Sequence, residues 1–308
     1  MAEDSREARM TRRSQHILMI YNPAAGRART RLFDRVVSCL RAAGAKVDIK
    51  RTEYAGHARD LAQQHRQGPY DRICAAGGDG TINEVINGLY PAPLPLGVIP
   101  LGTANVLAKE LLSRESAEVI AETILHGEMK KCWLGTAGDR YFSLMASMGP
   151  DAEAVRRVNL RLKKHLGKVA YALAFLQQIL TRRDATYHVT IDGKDHQAAA
   201  VIITRSKYYG GQYICAPDAG LDRKAFQVIL MTKHGRRAAL GYAVKMLRHK
   251  IPSDRSVRII PATSLTIRVD RPAACQLDGD PGPGLPLSLG LAQQPLTVLW
   301  DKSRPRTK

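Results

Sequence analysis

Residues Ile73 to Leu89, ICAAGGDGTINEVINGL, decide how the first half of this chain folds. A short apolar run (Ile73, Cys74, Ala75, Ala76) meets Gly77, Gly78, Asp79 and Gly80. Beyond them Ile82, Val85, Ile86 and Leu89 recur three and four apart, the spacing of one helical face. Thr81 and Glu84 are spaced as a T-x-x-E capping box, which places the predicted helix start at Gly80. A strand, a glycine turn and a helix N-terminus in succession make an anion site. Unpaired backbone N–H groups and the positive end of the helix dipole both face the docked group. Gly77, Gly78 and Gly80 let a phosphate approach without meeting a Cβ. Asp79 repels phosphates unless a cation lies between, so it points to Mg2+ held with a nucleotide. The chain has no G-x-x-x-x-G-K-[ST] P-loop, and this turn is not a dinucleotide G-x-G-x-x-G. Glycines alone in such a turn also read as a tight connection, and capping alone accounts for Glu84.

Other strings take the reading further. Tyr21–Arg27 (YNPAAGR) and Leu101–Asn105 (LGTAN) follow two more predicted strands. Gly149–Ala152 (GPDA), Gly167–Tyr171 (GKVAY), Tyr208–Gly211 (YYGG), Ala216–Ala219 (APDA) and Asp278-Gly279-Asp280 come later. With GGDGTINEV, which NAD kinases and phosphofructokinases share in part, these strings resemble the diacylglycerol kinase catalytic-domain family. That family of soluble lipid kinases includes sphingosine and ceramide kinases. The motifs keep the family's order from about residue 16 to residue 300, nearly the whole chain. The resemblance implies an ATP- and Mg2+-dependent kinase acting on the hydroxyl of diacylglycerol or a related lipid alcohol. It implies nucleotide contacts from Asn22, Arg27, Thr52, Gly77, Gly78, Asp79, Gly80, Thr81, Asn83, Thr103 and Asn105. Asp79 is implied as the Mg2+ ligand, and Asp280, where the family writes glutamate, as the residue acting on the acceptor hydroxyl. Two positions depart from the pattern. Asp222-Arg223-Lys224 replaces D-D-G, whose aspartate helps the family hold a second magnesium, and Val106 stands where many members have aspartate.

Bulk properties set limits. Lys and Arg exceed Asp and Glu by 47 − 28 = 19, an excess that favours phosphorylated ligands, anionic membrane or nucleic acid as partners. With four Phe, two Trp and no nucleic-acid-binding motif, nucleic acid is not expected as a partner. The five cysteines are scattered, and Cys74 and Cys215 read as small core residues. No apolar run reaches the ~18 residues of a membrane span. A cytoplasmic protein, peripheral on the inner face of the membrane, is expected.

The first half alternates strands (Ile17–Tyr21, Lys46–Arg51, Arg72–Ala76, Leu96–Ile99) with helices (Arg31–Ala43, His57–Arg66, Thr81–Leu89, Asn105–Leu112). This rhythm predicts a doubly wound parallel sheet, α/β in class, over residues 14–130, with its ligand at the carboxyl ends of the strands. Residues 131–302 are expected to form a mostly antiparallel, sandwich-like second domain. Its expected strands are Cys132–Thr136, Tyr141–Ala146, Tyr187–Ile191, Ala198–Arg205, Phe226–Met231, Ser264–Val269, Ala274–Leu277 and Leu296–Leu299. Asp192-Gly193 is a hairpin signal, Arg236–Arg248 reads as a helix, and a helical insertion is expected over about Asp151–Thr181. Residues 1–13 and 303–308 are expected to be disordered.

Several residues carry two readings. Thr103 and Asn105 also suit the cap of the next helix, and Asp278-Gly279-Asp280 also suits an exposed turn. Arg157, Arg161, Lys164 and Lys168 share a helical face, either a solvated surface or one that docks on anionic lipid. Beside the lipid kinase stand two alternatives: a soluble-metabolite kinase of the NAD-kinase type, and a catalytically silent lipid- or nucleotide-binding module.

Overall fold

A computed structural model describes residues 14–26, 29–157 and 185–304. The first six-stranded sheet contains β1 (His16–Tyr21), β2 (Lys46–Arg51), β3 (Arg72–Gly77), β4 (Leu96–Pro100) and β5 (Glu128–Cys132). Its order is β2-β1-β3-β4, then the C-terminal strand Leu296–Trp300, then β5. The first four strands are parallel, and β1, β3 and β4 are apolar and buried nearly throughout, as strands covered on both faces must be. Helices α1 (Thr30–Ala42), α2 (His57–His65), α3 (Asp79–Leu89), α4 (Val106–Leu111) and α5 (Ala117–His126) connect them. α1 packs beside α5, and α2 beside α3. The expected doubly wound α/β domain is present.

Because β1 lies between β2 and β3, the connections leave it in opposite directions. The crevice outside the carboxyl ends of β1 and β3 is therefore the topological switch point, where open α/β sheets bind ligands. Three loop starts are pinned along this edge. The Asn22 amide donates to Ala76 O (2.9 Å), the Thr52 amide to Tyr21 O (2.9 Å), and the Leu101 amide to Gly77 O (2.8 Å).

The second half forms two antiparallel six-stranded sheets. One runs in the order 194–198, 187–191, 265–269, 287–291, 135–137, 140–142. The other runs 257–262, 226–231, 200–204, 145–148, 275–277, 280–281. Their facing side chains, among them Phe142, Met148, Val189, Val201, Val228 and Ile267, form one buried cluster, as in a sandwich. The Asp192-Gly193 hairpin is present, with Ile191 opposite Lys194 and φ of 43° and 84° at the turn residues. Cys74 and Cys215 are fully buried, and burial pushes both thiols up to about 12.

Three strand expectations need correction. The expected single strand Tyr141–Ala146 is two, Arg140–Phe142 in one sheet and Met145–Met148 in the other, because the chain crosses between the sheets at Ser143 and Leu144. Leu296–Trp300 does not belong to a second-domain sheet: it pairs parallel with β4 and antiparallel with β5 and completes the first sheet. Of the expected run Cys132–Thr136, Cys132 ends β5 and only Gly135 and Thr136 enter the sandwich. The helical insertion begins as Pro150–Arg157, but its remainder, with the basic residues from Arg161 onward, lies outside the described residues. The expectations for residues 1–13 and 305–308 also fall there, whereas Ser303 and Arg304, expected to be disordered, are held by hydrogen bonds to Asp301 and Leu112.

Candidate active site

The glycine turn follows β3 and leads straight into α3, whose N-cap is Gly78. The helix starts at Asp79, one residue before Gly80, and no side chain caps it. The capping box therefore does not form. Glu84 instead accepts hydrogen bonds from the Gly56 (3.0 Å) and Ala58 (3.3 Å) amides, satisfying the N-terminus of α2 next door. Thr81, also freed, accepts from Asn22 Nδ2 at 2.9 Å, while Asn22 Oδ1 holds the Ala24 amide. One hydrogen bond thus ties the first loop to the glycine loop directly across the switch point.

The third loop closes on the same place. A Cβ on Gly102 would lie 2.7 Å from Gly78 Cα and 2.9 Å from Asn105 Oδ1, so only bare backbones can approach this closely. Asn105 adopts the left-handed conformation (φ 50°) and is 1% exposed. Its Nδ2 faces the carboxylate of Glu115 (3.3 and 3.5 Å), which also pairs with Arg29. The Asn105 amide is oriented in this way, and its buried Oδ1 has no hydrogen-bond partner among the described residues. Neither Thr103, which is exposed, nor the Asn105 side chain caps α4. Asp79 caps it, since its Oδ1 accepts from the Leu107 amide at 3.3 Å. Burial raises the Asp79 pKa above the ordinary carboxylate value, and the amides at the start of α4 only partly offset this.

Asp280 arrives from the second domain. Leu277 and Asp280 pair across the two-residue turn Asp278-Gly279, whose φ values of 48° and 86° fit a type I′ hairpin. Asp278 does not face the glycine loop. Its carboxylate accepts from Ser143 N (2.6 Å), Ser143 Oγ (3.1 Å), Leu144 N (2.9 Å) and Met145 N (2.8 Å). Desolvation nevertheless pushes its pKa up to about 6. The turn is braced a second time, because the Gly279 amide donates to Gln276 Oε1, and Gln276 Nε2 to Ser147 Oγ (both 2.7 Å). Ser147 continues to Asp151, which also receives the Tyr209 hydroxyl at 2.7 Å. The turn so held carries Asp280 to the glycine loop, where its Oδ2 lies 3.7 Å from the position of a Cβ on Gly80.

The structure thus gathers Asn22, Gly77, Gly78, Asp79, Gly80, Thr81, Asn105 and Asp280 around the glycine turn. Asn83 is buried and accepts from Asn87, turned toward the domain junction instead of the loops. Thr52 sits at the sheet's carboxyl edge, and Arg27 is outside the described residues. Sequence reasoning missed Glu115, and also Asn87, whose amide makes two 2.9 Å hydrogen bonds to the Tyr141 backbone and joins α3 to the second domain. Neither belongs to a local pattern that would have revealed it.

The donor types near the glycine turn suit Mg2+, because the carboxylates of Asp79 and Asp280 and the Asn105 Oδ1 are all hard oxygen atoms, although no cluster of three acidic, histidine or cysteine side chains forms among the described residues. The second-domain site differs. Arg205, fully buried, donates to the carbonyls of Leu221 (2.8 Å), Arg223 (2.8 Å) and Ala225 (3.3 Å). A guanidinium holds the stretch containing Asp222-Arg223-Lys224, and these residues do not fit a second magnesium.

A parallel-sheet domain with a glycine-turn anion site, facing a β-sandwich that presents a carboxylate, defines a two-domain phosphotransferase architecture. Residues 16–137 match the diacylglycerol kinase catalytic domain, and residues 145–300 match the YegS C-terminal NAD kinase beta sandwich-like domain. A Bacillus subtilis (strain 168) protein named diacylglycerol kinase is 32% identical over 277 residues, covering 87% of this chain and 90% of that protein. One named the same from Staphylococcus carnosus (strain TM300) is 27% identical, with 94% and 96% covered. A crystal structure titled as a Bacillus anthracis (strain Sterne) diacylglycerol kinase shares the fold, with a TM-score of 0.77 at 24% identity over 94% of this chain and 98% of that one. The chain belongs to the diacylglycerol kinase family of lipid kinases.

Proposed function

We propose that this protein transfers the γ-phosphate of ATP, with Mg2+, to the hydroxyl of diacylglycerol or a related lipid alcohol such as a sphingoid base or ceramide. The observation that most supports this reading is the approach of Asp280 to Gly80 across the domain junction. It sets a carboxylate beside an anion site, as an in-line transfer to an alcohol requires. The backbone of Gly77 to Gly80 and the N-terminus of α3 receive the phosphates, and the Asn22–Thr81 bond holds the two loops that flank them. Asn105 Oδ1 offers an acceptor to the nucleotide. Asp280 orients the lipid hydroxyl and takes its proton as the oxygen attacks phosphorus and the bond to ADP breaks. Asp79 would hold Mg2+, which when bound neutralises phosphate charge. The lipid substrate calls for work at an anionic membrane surface on the cytoplasmic side, and no described helix is long and apolar enough to cross a membrane.

Incubation with labelled ATP, Mg2+ and mixed micelles of diacylglycerol, sphingosine or ceramide, with NAD as a parallel soluble acceptor, tests this reading. Label is expected in the lipid extract. Label in the NAD pool alone favours the metabolite kinase, and no transfer favours the silent module.

A further inference from the structure

Helix Arg236–Leu247 has two apolar faces, and among the described residues only one is packed against the rest of the molecule. Ala239, Tyr242 and Met246 join Ile202, Ile229 and Ile251 in a buried cluster beneath the sheet that carries strand 226–231. The helix is fixed rigidly there. The Tyr242 hydroxyl accepts from Lys233 N (3.0 Å) and meets Ser256 Oγ (3.0 Å), and Lys245 pairs with Asp254.

The opposite face shows Leu240, Val244 and Leu247, which are 50%, 39% and 57% exposed. They are three of the five large hydrophobic residues found exposed among the described residues, so the patch is a concentration and not scatter. At roughly 100° per residue they fall within an arc of about 60°, with Arg236 on one flank and Arg237 and Arg248 on the other. Arg237, Leu240, Val244 and Arg248 line one shallow trough along the helix. Residues 232–258 hold eight Lys and Arg, all exposed, against one acid, Asp254.

We propose that this face docks on an anionic lipid bilayer, with the aliphatic stripe at the acyl boundary and the flanking cations on lipid phosphates. Charge selects this occupant. A second copy of the chain in a two-fold dimer would press two basic rims together, and a nucleic acid would leave the aliphatic stripe without a counterpart. The proposal deepens the lipid-kinase reading and takes its purpose from it, while its test needs no catalysis.

The full-length protein is floated with vesicles of phosphatidylglycerol and phosphatidylcholine, and with phosphatidylcholine alone, in the absence of ATP. Binding is expected only with phosphatidylglycerol. It should weaken as NaCl rises, since exposed charges are screened beyond about 3 Å at 1 M. Arg237→Glu/Arg248→Glu is expected to lower partitioning by at least tenfold, given about fivefold per basic residue at such a surface. Leu240→Asp/Leu247→Asp should do the same while keeping the parental thermal midpoint and micellar kinase activity. Val244→Trp, which keeps the stripe apolar, should blue-shift its emission on phosphatidylglycerol vesicles alone and report even if a double variant misfolds. Parental vesicle binding by both double variants overturns the proposal. So does failure of the parent to bind, or a dimer that Leu240→Asp/Leu247→Asp dissociates with vesicle binding unchanged. Vesicle binding through this face without any lipid phosphorylation would instead overturn the kinase reading and leave the surface standing.

Discussion

Asn and Ala at position 79 separate two tasks that the Asp79 carboxylate combines. One is to cap α4 through the 3.3 Å bond from the Leu107 amide, and the other is the proposed role of holding Mg2+. Asn keeps an acceptor at the same reach and removes the charge. The charge-assisted part of the bond is lost, about 1 kcal/mol, but so is the burial penalty that raises the Asp79 pKa. Asp79→Asn should therefore leave stability within about 0.5 kcal/mol of the parent. Ala removes the cap altogether, at about 1 kcal/mol, which is roughly 2–4 °C in midpoint for a domain of this size. Both should lower turnover by about 10²–10³-fold, the range seen when one electrostatic stabiliser of a transition state is removed. Labelled-ATP transfer to micellar lipid across a Mg2+ titration, with thermal melts, measures all of these quantities. Asp79→Asn with most of the parental activity and an unchanged Mg2+ dependence refutes the metal role. Asp79→Ala melting with the parent refutes the cap.

Asp280→Asn should lower kcat by about 10²–10⁴-fold with little change in nucleotide affinity; near-parental turnover would place the base elsewhere. Asp278→Asn should instead act on the hinge of the hairpin. It alters four hydrogen bonds to residues 143–145, so its signature is a lowered melting temperature. Arg205→Met should cost about 3 kcal/mol or more in denaturant unfolding, because it strands three carbonyls that a buried guanidinium satisfies, and added Mg2+ should not restore it. The Lys245 hydrogen bond and charge, with Ser256, hold Asp254 down at about 2. Its folded pKa is depressed, so its contribution should be fully present above about pH 4 and lost as pH falls toward 2. The difference in melting temperature between the parent and Asp254→Asn should follow that window.

The first domain was legible because its strands are unbroken apolar runs divided by amphipathic helices, two periods that are hard to confuse. The sandwich was less so. Strand 257–262 contains Pro261, which reads as a break, yet it lies at the sheet's edge, where a missing N–H is tolerated. Gly290 hid strand 287–291 in the same way. The last strand was visible as a strand but not as a member of the first sheet, since apolar alternation says nothing about its partner. At the site, the loops could be read because each is a local string. The Thr81–Glu84 spacing misled because both side chains found partners far along the chain, in Asn22 and in the start of α2. Glu115, Asn87 and Arg205 act through contacts that only the tertiary fold creates.

The return of Leu296–Trp300 to the first sheet has a consequence for how the molecule is made. On the ribosome, β4 emerges with one edge open, and β5 finds its partner only when the C-terminal strand appears, about 160 residues later. At roughly 5–20 residues per second, the nascent sheet waits about ten to thirty seconds with the apolar Leu96–Pro100 edge unpaired. Bare edges of this kind recruit other chains. The residues that end the wait also clasp α4. The Asp301 amide donates to Leu111 O (3.0 Å), and Arg304 to Leu112 O (2.9 Å) at the end of α4, whose other end Asp79 holds. Translation of the final residues thus closes the sheet and pins the end of α4 in one step, so a ribosome stalled before residue 296 would carry a chain with an open, sticky edge and a loosened α4.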